Sequence, residues 1–544
     1  MTRQDIHVHP SIEWLDPNVA DALAGLTPVC FKSCSNLAEL RQGDVVLSLS
    51  GAEHVPSELS KCRLEYFHVP QTTVGSRSEN HGASVRFAKS EKLDKLLSGR
   101  TITHQVLPKL PVVSLDSGDE VLARYGEQPV WVLRRNGDLT GHVASIPLPQ
   151  LADGEQPFDY LNGYHFMQLL PLLHFLREIT AELGWMRPPL RACFMFDDPN
   201  LHWSSYGFLS YRELIHQARK DHFHVAFATV PLDAWGLHAD AINLLKENTE
   251  YLSLLVHGND HTRDELGQTR PPDRYLKLMA QGLRRIERLE RASGLRVDRV
   301  MVPPYEALVD SALAVMLPLG MEGVCLSPWS LRHWNPRREW SSTFGLEMAE
   351  MMESGFPVIG RYRLTDACEG PSVISALLGR PIVLVEHHKA LKKGIELLSG
   401  AAQVVNSLGE VRWCGTAAML RSNYLLRQED STLWLKPNSC HIELRVPEGV
   451  SSVGLVRAEG TTDASNVRLI RRPLDAVPIT THISPEIPAQ VAPGELIELI
   501  SSGLGTVDHW QLETPGFSVH ALSRRLLCEA RDRLVALNAG LRRA

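Results

Sequence analysis

Strand–helix alternation between residues 185 and 420 constrains the fold of this chain more than any other feature of its sequence. The helical segments are amphipathic, and the longest of them covers residues 273–294 and runs up to Gly294, a common stop for a helix. The segments that we expect to be strands are apolar and short, at residues 190–196, 223–230, 251–257, 298–304 and 381–388. This alternation predicts parallel strands with helices outside them, as an open sheet or a barrel.

The segments on either side of residues 185–420 have different sequence patterns. The N-terminal part mixes short strands with polar helical stretches, which predicts a smaller α/β domain. A linker rich in Pro, Gly and Asp follows at 147–163, and then a helix at 164–183. The β-rich part near the C-terminus has turn residues every 8–12 positions or so, which predicts a β-sandwich. We expect four parts: an α/β domain at residues 1–150, a (β/α) domain at 185–420, a β-sandwich at 425–516 and a final helix at 517–544.

Composition excludes several classes of protein. The 56 basic and 63 acidic residues give a net charge of −7, so a nucleic-acid partner is not expected. No apolar run has the roughly 18–20 residues that a membrane span needs. The N-terminus lacks a secretory signal, and the nine cysteines are scattered without a CxxC pair. We therefore expect a cytoplasmic protein with reduced thiols. A homo-oligomer is compatible with the sequence.

The first strand of the (β/α) domain ends in two adjacent carboxylates, Asp197 and Asp198. Active sites of parallel α/β folds form at the carboxyl ends of the strands. Because adjacent side chains point to different sides, one carboxylate can bind a metal while the other acts as a base. The alternative interpretation is a simple turn at residues 198–200.

Histidines follow two later strands. His257 and His261 are four residues apart just after the strand at 251–257, a spacing found in many zinc sites. That spacing is expected about once by chance in a chain with 23 histidines. The position of the pair at a strand end is therefore the stronger indication of a metal site. His387 and His388 end the strand at 381–388, and Tyr305 follows the strand at 298–304. Such side chains at four strand ends predict one shared site.

In order and content these residues resemble the polysaccharide deacetylase superfamily, with its NodB-type domain and carbohydrate esterase family 4. Asp197 and Asp198 match the aspartate pair of its first motif. His257 to His261 match the second motif, H-[ST]-x-x-H, except that Gly258 replaces Ser or Thr. The resemblance covers about residues 190–415.

Two further motifs match more loosely. Pro304 and Tyr305 match the end of an Arg-x-x-Pro-Tyr type motif, but residues 301–303 contain no arginine. Leu384 to His387 approximate a final Leu-x-His motif, with the histidine displaced by one position. The family's arginine pairs with the base aspartate, so Asp197 would need another partner, or none beyond the metal.

The resemblance implies a distorted (β/α) barrel and a divalent metal ion, usually zinc. It also implies a role for each matching residue: metal ligands Asp198, His257 and His261; general base Asp197; general acid His387 or, failing it, His388; and an oxyanion-binding backbone N–H at Tyr305. A metal held by one carboxylate and two imidazoles keeps positions open for water and substrate, which is what amide hydrolysis requires.

We therefore expect a metal-dependent hydrolase that removes an acyl group, in the first place acetyl, from an N-acylated sugar or polysaccharide. The alternative is a non-catalytic deacetylase-like domain in a carbohydrate-binding or scaffold protein, which the missing arginine favours. Trp329 and Trp334 could stack on sugar rings or simply pack a long loop. The final helix alternates basic and acidic residues, which is typical of a solvated face or a subunit contact.

Two other resemblances have less support. Asp5, His7 and His9 match the Asp-x-His-x-His pattern of amidohydrolase barrels, but no strand precedes them as it does there. The first domain loosely resembles the class I glutamine-amidotransferase fold. It has no cysteine in a Gly-x-Cys-x-Gly elbow, so a support or recognition role is expected for it.

Overall fold

The computed structural model describes residues 3–50, 65–70, 83–104, 113–136, 139–262, 264–365, 367–456, 467–472, 477–484 and 487–541. The chain has the α/β composition that its sequence predicts, with several sheets and helices. It divides into two compact units. The first unit comprises Met1–Gly184, Glu339–Glu347 and Glu369–Leu378, and the second comprises Trp185–Arg338, Met348–Cys368 and Gly379–Ala544.

The first unit contains a nine-stranded sheet in the order β2-β1-β3-β4-β9-β8-β7-β5-β6. The strands from β2 to β9 in this order are parallel, and the remaining pairs are antiparallel. The nine strands are β1 (Gln4–His9), β2 (Val29–Ser33), β3 (Val45–Ser50), β4 (Glu65–Pro70), β5 (Ala83–Phe87), β6 (Thr101–His104), β7 (Glu120–Tyr125), β8 (Gln128–Asn136) and β9 (Leu139–Ala144).

The helices of the first unit are α1 (Pro17–Leu26), α2 (Leu170–Ile179) and one from later in the chain, Glu369–Leu378. The prediction of a helix over residues 164–183 was too long at both ends. Pro171 lies in the first turn of α2, the place in a helix where its missing N–H is tolerated, so the helix begins there.

The second unit is built on a ten-stranded sheet in the order β17-β18-β16-β15-β14-β13-β10-β20-β19, with β21 beside β10. All its pairs are parallel except β17 with β18. Its strands, together with the separate hairpin β11–β12, are β10 (Leu190–Asp197), β11 (Ser205–Tyr206), β12 (Leu209–Ser210), β13 (Val225–Thr229), β14 (Leu252–Val256), β15 (Val297–Met301), β16 (Gly323–Cys325), β17 (Glu350–Met351), β18 (Pro357–Ile359), β19 (Tyr362–Arg363), β20 (Ile382–Glu386) and β21 (Val411–Trp413).

The helices of the second unit begin and end where local chemistry favours it. The Ser210 hydroxyl accepts the backbone N–H of Glu213 at the start of the first, and Gly294 takes a positive φ of 68° after the helix Pro272–Ser293, as its sequence predicted. They are α3 (Tyr211–Asp221), α4 (Ala239–Lys246), α5 (Pro272–Ser293), α6 (Asp310–Leu313), α7 (Pro328–Trp334), α8 (Glu396–Asn406), α9 (Thr416–Arg421) and α10 (Val519–Leu541). Residues 542–544 of the predicted final helix lie outside the described residues.

The two ends of the large sheet come together. Strand β18 pairs with β16 at one end, and β19 pairs with β20 at the other, yet only Gly360 and Arg361 separate β18 from β19. Buried side chains from strands all along the sheet share one hydrophobic core, including Met195, Leu255 and Ile359. The sheet therefore curls around a common interior.

The β-rich segment after α9 forms two four-stranded sheets, β22-β23-β25-β28 and β24-β29-β26-β27. Their buried side chains meet in a single core, so the two sheets pack face to face. The strands are β22 (Tyr424–Glu429), β23 (Thr432–Pro437), β24 (His441–Arg445), β25 (Ser452–Leu455), β26 (Val467–Arg472), β27 (Ile479–Ile483), β28 (Ala489–Gln490) and β29 (Leu496–Ser501). Among the described residues, none of the helices has the length and apolar character needed to cross a membrane.

Candidate metal centre

The parallel strands of the second unit bring chemically active side chains to one edge of the sheet. Asp197 is the last residue of β10, His257 directly follows β14, and His387 directly follows β20. These strands lie within one run of neighbours, β14-β13-β10-β20, and point the same way. Their carboxyl ends therefore meet, as the sequence pattern suggested.

Three side chains at this edge of the sheet form a cluster suited to a metal ion. One ligand atom from each of Asp198, His257 and His261 lies within 4.8 Å of the other two. The Nε2 of His261 is 3.2 Å from Asp198 Oδ1. One carboxylate and two imidazoles are a donor set typical of a catalytic zinc site.

The hydrogen bonds of His257 fix which nitrogen faces the cluster. Its Nδ1 is 2.7 Å from the carbonyl oxygen of Val302, so Nδ1 carries the proton and donates it. Its Nε2 is buried and has no hydrogen-bond partner among the described groups. A buried lone pair without a donor is costly, and a cation bound there would satisfy it. The residues present therefore fit a divalent metal ion.

The charges of the cluster also suit metal binding. Burial lowers the pKa of His257, and it lowers the pKa of His261 to about 3, so both rings are neutral near pH 7. Burial alone would raise the pKa of Asp198, but the neighbouring His261 and Arg525 hold it well below its usual value. Neutral imidazoles and an ionised carboxylate are the protonation states that bind metals.

A buried glutamate shapes the loop that carries the two histidines. The carboxylate of Glu265 accepts the backbone N–H groups of Asn259, Asp260 and His261 at 2.8–3.2 Å. Gly258 has a φ of 63°, and a Cβ on it would lie 2.0 Å from Glu265 Oε1. Only glycine fits there, which explains why Ser or Thr is absent at this position of the H-[ST]-x-x-H pattern.

Residues 301–303 contain no arginine, and Arg361 is the other partner that the sequence left open for Asp197. Its Nη1 lies 2.9 Å from Asp197 Oδ1, and its Nε lies 3.1 Å from Glu306 Oε1. Both Asp197 and Arg361 are buried. The guanidinium comes from the connection between β18 and β19 instead of from residues 301–303.

The pKa of Asp197 reflects this ion pair. Burial, the largest single influence, would raise it, but the charges of Arg361 and His257 and the hydrogen bond from Arg361 together hold the pKa below its usual value. Asp197 is therefore ionised near neutral pH. The signal in the sequence was an arginine inside the apolar segment 356–362, where a charged side chain needs a buried partner.

The two adjacent histidines after β20 differ in their surroundings. His388 is buried: its Nδ1 accepts the N–H of Phe208, and its Nε2 lies 3.4 Å from Asp532 Oδ2. His387 is exposed, and it is close enough to Asp197 that its charge contributes to lowering the pKa of that carboxyl. Of the two, His387 has the freedom to meet a substrate.

The other predicted site residues lie in different settings. The exposed ring of Tyr305 is 5.2 Å from the ring of His261, between centroids. Trp329 packs edge-on against Tyr362 at 5.9 Å, and Trp334 packs against His333 at 5.6 Å. The two tryptophans thus have packing partners, and their contact with a sugar stays a prediction.

The final helix reaches the site, which the sequence did not indicate. On α10, Arg525 is buried and places Nη1 3.0 Å from Asp198 Oδ1, while its other nitrogens pair with Asp233. Arg524 donates to the carbonyl oxygen of His261 and to the hydroxyl of Tyr305. The interpretation of this helix as solvated or as a subunit contact was therefore wrong for its inner face. No local pattern could reveal a contact across 327 positions.

Left-handed backbone conformations concentrate here. Four non-glycine residues of the site have positive φ: Asp198 at 80°, His261 at 53°, Tyr305 at 57° and Glu306 at 54°. Each costs free energy that the surrounding contacts must offset, and such strain is typical of functional sites.

Comparison with known proteins gives a distant likeness. No family model matches the chain, and no curated protein matches it. A putative polysaccharide deacetylase from Mycobacterium smegmatis is 15% identical, with 43% of this chain and 90% of that chain covered and a TM-score of 0.29. The family 4 carbohydrate esterase from Streptomyces lividans in complex with acetate is 10% identical, with 41% and 88% covered and a TM-score of 0.24.

A third solved structure is a family 4 pseudoenzyme from Bacillus anthracis. It is 9% identical, with 42% of this chain and 68% of that chain covered and a TM-score of 0.21. All three likenesses are of low identity and low TM-score.

Proposed function

We propose that this chain is a metal-dependent deacetylase that removes an acyl group, in the first place acetyl, from the nitrogen of an N-acylated sugar or polysaccharide. The observation that carries the proposal is the pairing of two features at one strand edge. A three-ligand cluster with a free, buried His257 Nε2 lies next to a carboxylate, Asp197, that Arg361 keeps ionised. Amide hydrolysis requires such a combination.

Asp198, His257 and His261 would hold the metal, which we propose to be zinc. When bound, a divalent cation supplies Lewis-acid polarisation of water and of the substrate carbonyl. The protein supplies the positions of the ligands: Val302 orients the His257 ring, and Glu265 holds the loop that carries His261.

Asp197 is the proposed general base. It would accept the proton of the attacking water, since it is ionised and is the last residue of β10, directly before the metal ligand Asp198. Arg361 holds the Asp197 carboxylate in one orientation, and Glu306 in turn holds Arg361. These contacts hold the Asp197 carboxylate in position and keep it ionised.

His387 is the proposed general acid, and His388 is set aside because its ring nitrogens are engaged by Phe208 and Asp532. A histidine is suited to protonating the leaving amine because its usual pKa lies near neutrality. The backbone N–H of Tyr305 would donate to the oxyanion that develops on the carbonyl.

Further parts of the proposal concern fold and setting. The meeting of the sheet ends at Gly360 and Arg361 supports a distorted (β/α) barrel. Trp329 and Trp334 are proposed to stack on sugar rings. The eight described cysteines are all unpaired, which supports a reducing, cytoplasmic setting.

One observation favours the alternative of a non-catalytic, carbohydrate-binding domain. Arg525 donates to Asp198 Oδ1, the same oxygen that faces His261. A guanidinium there can compete with a cation for the carboxylate. In that case the cluster would be a buried ion-pair network, and the surface around it would bind sugar without hydrolysing it.

Acetate release distinguishes the two. Purified wild type and Asp197→Asn are incubated with a panel of N-acetylated oligosaccharides in the presence of zinc, and acetate and free amine are quantified. We expect equal amounts of both products from wild type, and about 10²–10⁴-fold slower release from Asp197→Asn. Metal-loaded wild type that binds the oligosaccharides and releases no acetate would establish the alternative.

A further inference from the structure

The C-terminal helix α10 (Val519–Leu541) contacts the rest of its unit through charges. Arg525 pairs with Asp233 and Asp198, and Asp532 lies against His388. Glu529 is 2.8 Å from His202 as well. Surface helices usually bury an apolar stripe and expose their charged face. In α10 the charged face is turned inward.

Its outer face is correspondingly apolar. Leu527, Leu534 and Leu537 are 72%, 60% and 64% exposed, and Leu526 and Val535 are exposed too. The spacing of 527, 530, 534 and 537 places these positions on one stripe of a helix, with Ala530 between the leucines. Single exposed leucines are ordinary, but a continuous stripe marks a surface that binds something. We call Leu526, Leu527, Ala530, Leu534 and Leu537 the leucine stripe.

The charges beside the leucine stripe are positive. Arg531 and Arg533 flank it, with side chains 59% and 26% exposed, and they pair with Asp532 and Glu529 of the same helix. The acidic residues of α10, Glu529 and Asp532, are turned inward, with side chains 11% and 7% exposed. The outer face thus combines leucine with arginine and presents no exposed carboxylate among its described side chains.

This charge pattern indicates which of two partners, a second copy of the chain or a lipid surface, would bind the leucine stripe. A second copy docked on the stripe would bring two arginine-flanked faces together, and like charges oppose such pairing. An anionic lipid surface instead attracts the arginines, and their aliphatic stems lie along the apolar stripe while the guanidinium groups reach the phosphates. We propose that the outer face of α10 docks on an anionic membrane surface.

The proposal goes beyond the proposed function and does not depend on it. It has a consequence for the site, because the inner face of the same helix contacts Asp198 and Tyr305. A membrane bound to the leucine stripe would lie beside the metal centre. A substrate carried on a lipid would then be held near the site by the surface itself.

Vesicle sedimentation with the full chain tests the proposal without any substrate. The probes are vesicles of phosphatidylcholine alone and of phosphatidylcholine mixed with phosphatidylglycerol. We expect the wild type to sediment with the anionic vesicles, to remain in solution with the neutral ones, and to dissociate as salt is raised. The double variant Leu527→Gln/Leu534→Gln should bind the anionic vesicles at least about tenfold more weakly than the wild type. Leu115→Gln, at an exposed leucine of the first unit, should bind as the wild type does.

Three results would overturn the proposal. The wild type could fail to bind anionic vesicles, or the double variant could bind them as tightly as the wild type does. Light scattering could also find a dimer that the double variant dissociates, which would make a second copy the occupant of the stripe. Circular dichroism of the double variant checks that it folds. Arg531→Gln, which removes one flanking charge and its ion pair with Asp532 but leaves the leucines in place, should weaken binding independently.

Discussion

Arg361 Nη1 lies 2.9 Å from Asp197 Oδ1, and this ion pair joins the last residue of β10 to the connection between β18 and β19. The same connection brings the two ends of the large sheet together. One contact therefore both links the ends of the sheet to its first strand and keeps the proposed base ionised. A change at Arg361 should affect the pH dependence of activity as well as stability.

Replacing Arg361 should shift the acid limb of the activity profile upward. Arg361 lowers the pKa of Asp197, so in Arg361→Met that pKa rises, and the base becomes protonated at a higher pH. We expect the acid limb of kcat/KM to move to higher pH. Leaving a buried carboxylate unpaired should also cost about 3–5 kcal/mol of stability, so folding is checked first.

The matched control is Arg363→Gln, two residues along the chain, whose side chain is exposed and pairs with Glu386. Its acid limb should remain where it is in the wild type. An unmoved limb in a folded Arg361→Met would show that this guanidinium does not set the pKa of the base.

The sequence predicted the parts of the site that depend on local order. Strand ends are visible as apolar segments followed by Asp197 or His257, and parallel strands bring such ends together. Arg361 was missed because its partner is 164 positions away, so neither residue marks the other in the sequence. Its role depends on the closing of the sheet, which no segment encodes alone.

Two other features show the same limit. Gly258 seemed a departure from a motif, but Glu265 supplies the reason, since its carboxylate fills the space where a Cβ would lie. The final helix seemed solvated because its basic and acidic residues alternate. That alternation in fact supplies Arg525, Glu529 and Asp532 to partners on the strand-end loops, and it leaves the leucines outside.

Restoring the expected motif residue should harm the protein. Gly258→Ser would introduce a Cβ 2.0 Å from Glu265 Oε1 at a φ of 63°. Backbone strain of about 1–2 kcal/mol adds to overpacking of about 1–3 kcal/mol, so denaturant unfolding should show a loss of roughly 2–5 kcal/mol. Gly355→Ser has a similar φ of 74° and open space, so it should lose the backbone part alone. Equal losses in the two variants would contradict the packing argument.

Replacing each of the two histidines after β20 should affect the hydrolysis of two substrates differently. His387→Ala should slow deacetylation of an N-acetyl sugar about 10²–10⁴-fold, because the leaving amine needs a proton. It should affect hydrolysis of 4-nitrophenyl acetate much less, since that leaving group needs none. His388→Ala should leave the ratio of the two rates unchanged while lowering the melting temperature, as His388 is a packed residue. If the selective loss appeared in His388→Ala instead, the assignment of the acid would be reversed.

Arg525 should support metal binding through Asp198. Arg525 bridges Asp233 and Asp198. Its loss removes the contact that holds the ligand Asp198 in place, and it leaves Asp233 buried without its partner. We expect Arg525→Met to weaken zinc binding about 10–100-fold in a chelator competition assay. Arg531→Met, at an exposed position of the same helix, should bind zinc as the wild type does. Tighter binding by Arg525→Met would mean that the guanidinium competes with the metal.

The metal content of the purified protein tests the central claim most directly. Elemental analysis after dialysis should find one divalent ion per chain in the wild type and in His388→Ala, whose ring lies outside the ligand cluster. His257→Ala should hold almost none, because it removes the buried Nε2 that faces Asp198 and His261. Wild-type protein without a stoichiometric ion, even after incubation with zinc, would contradict a metal-dependent hydrolase. Full occupancy in His257→Ala would contradict this ligand set.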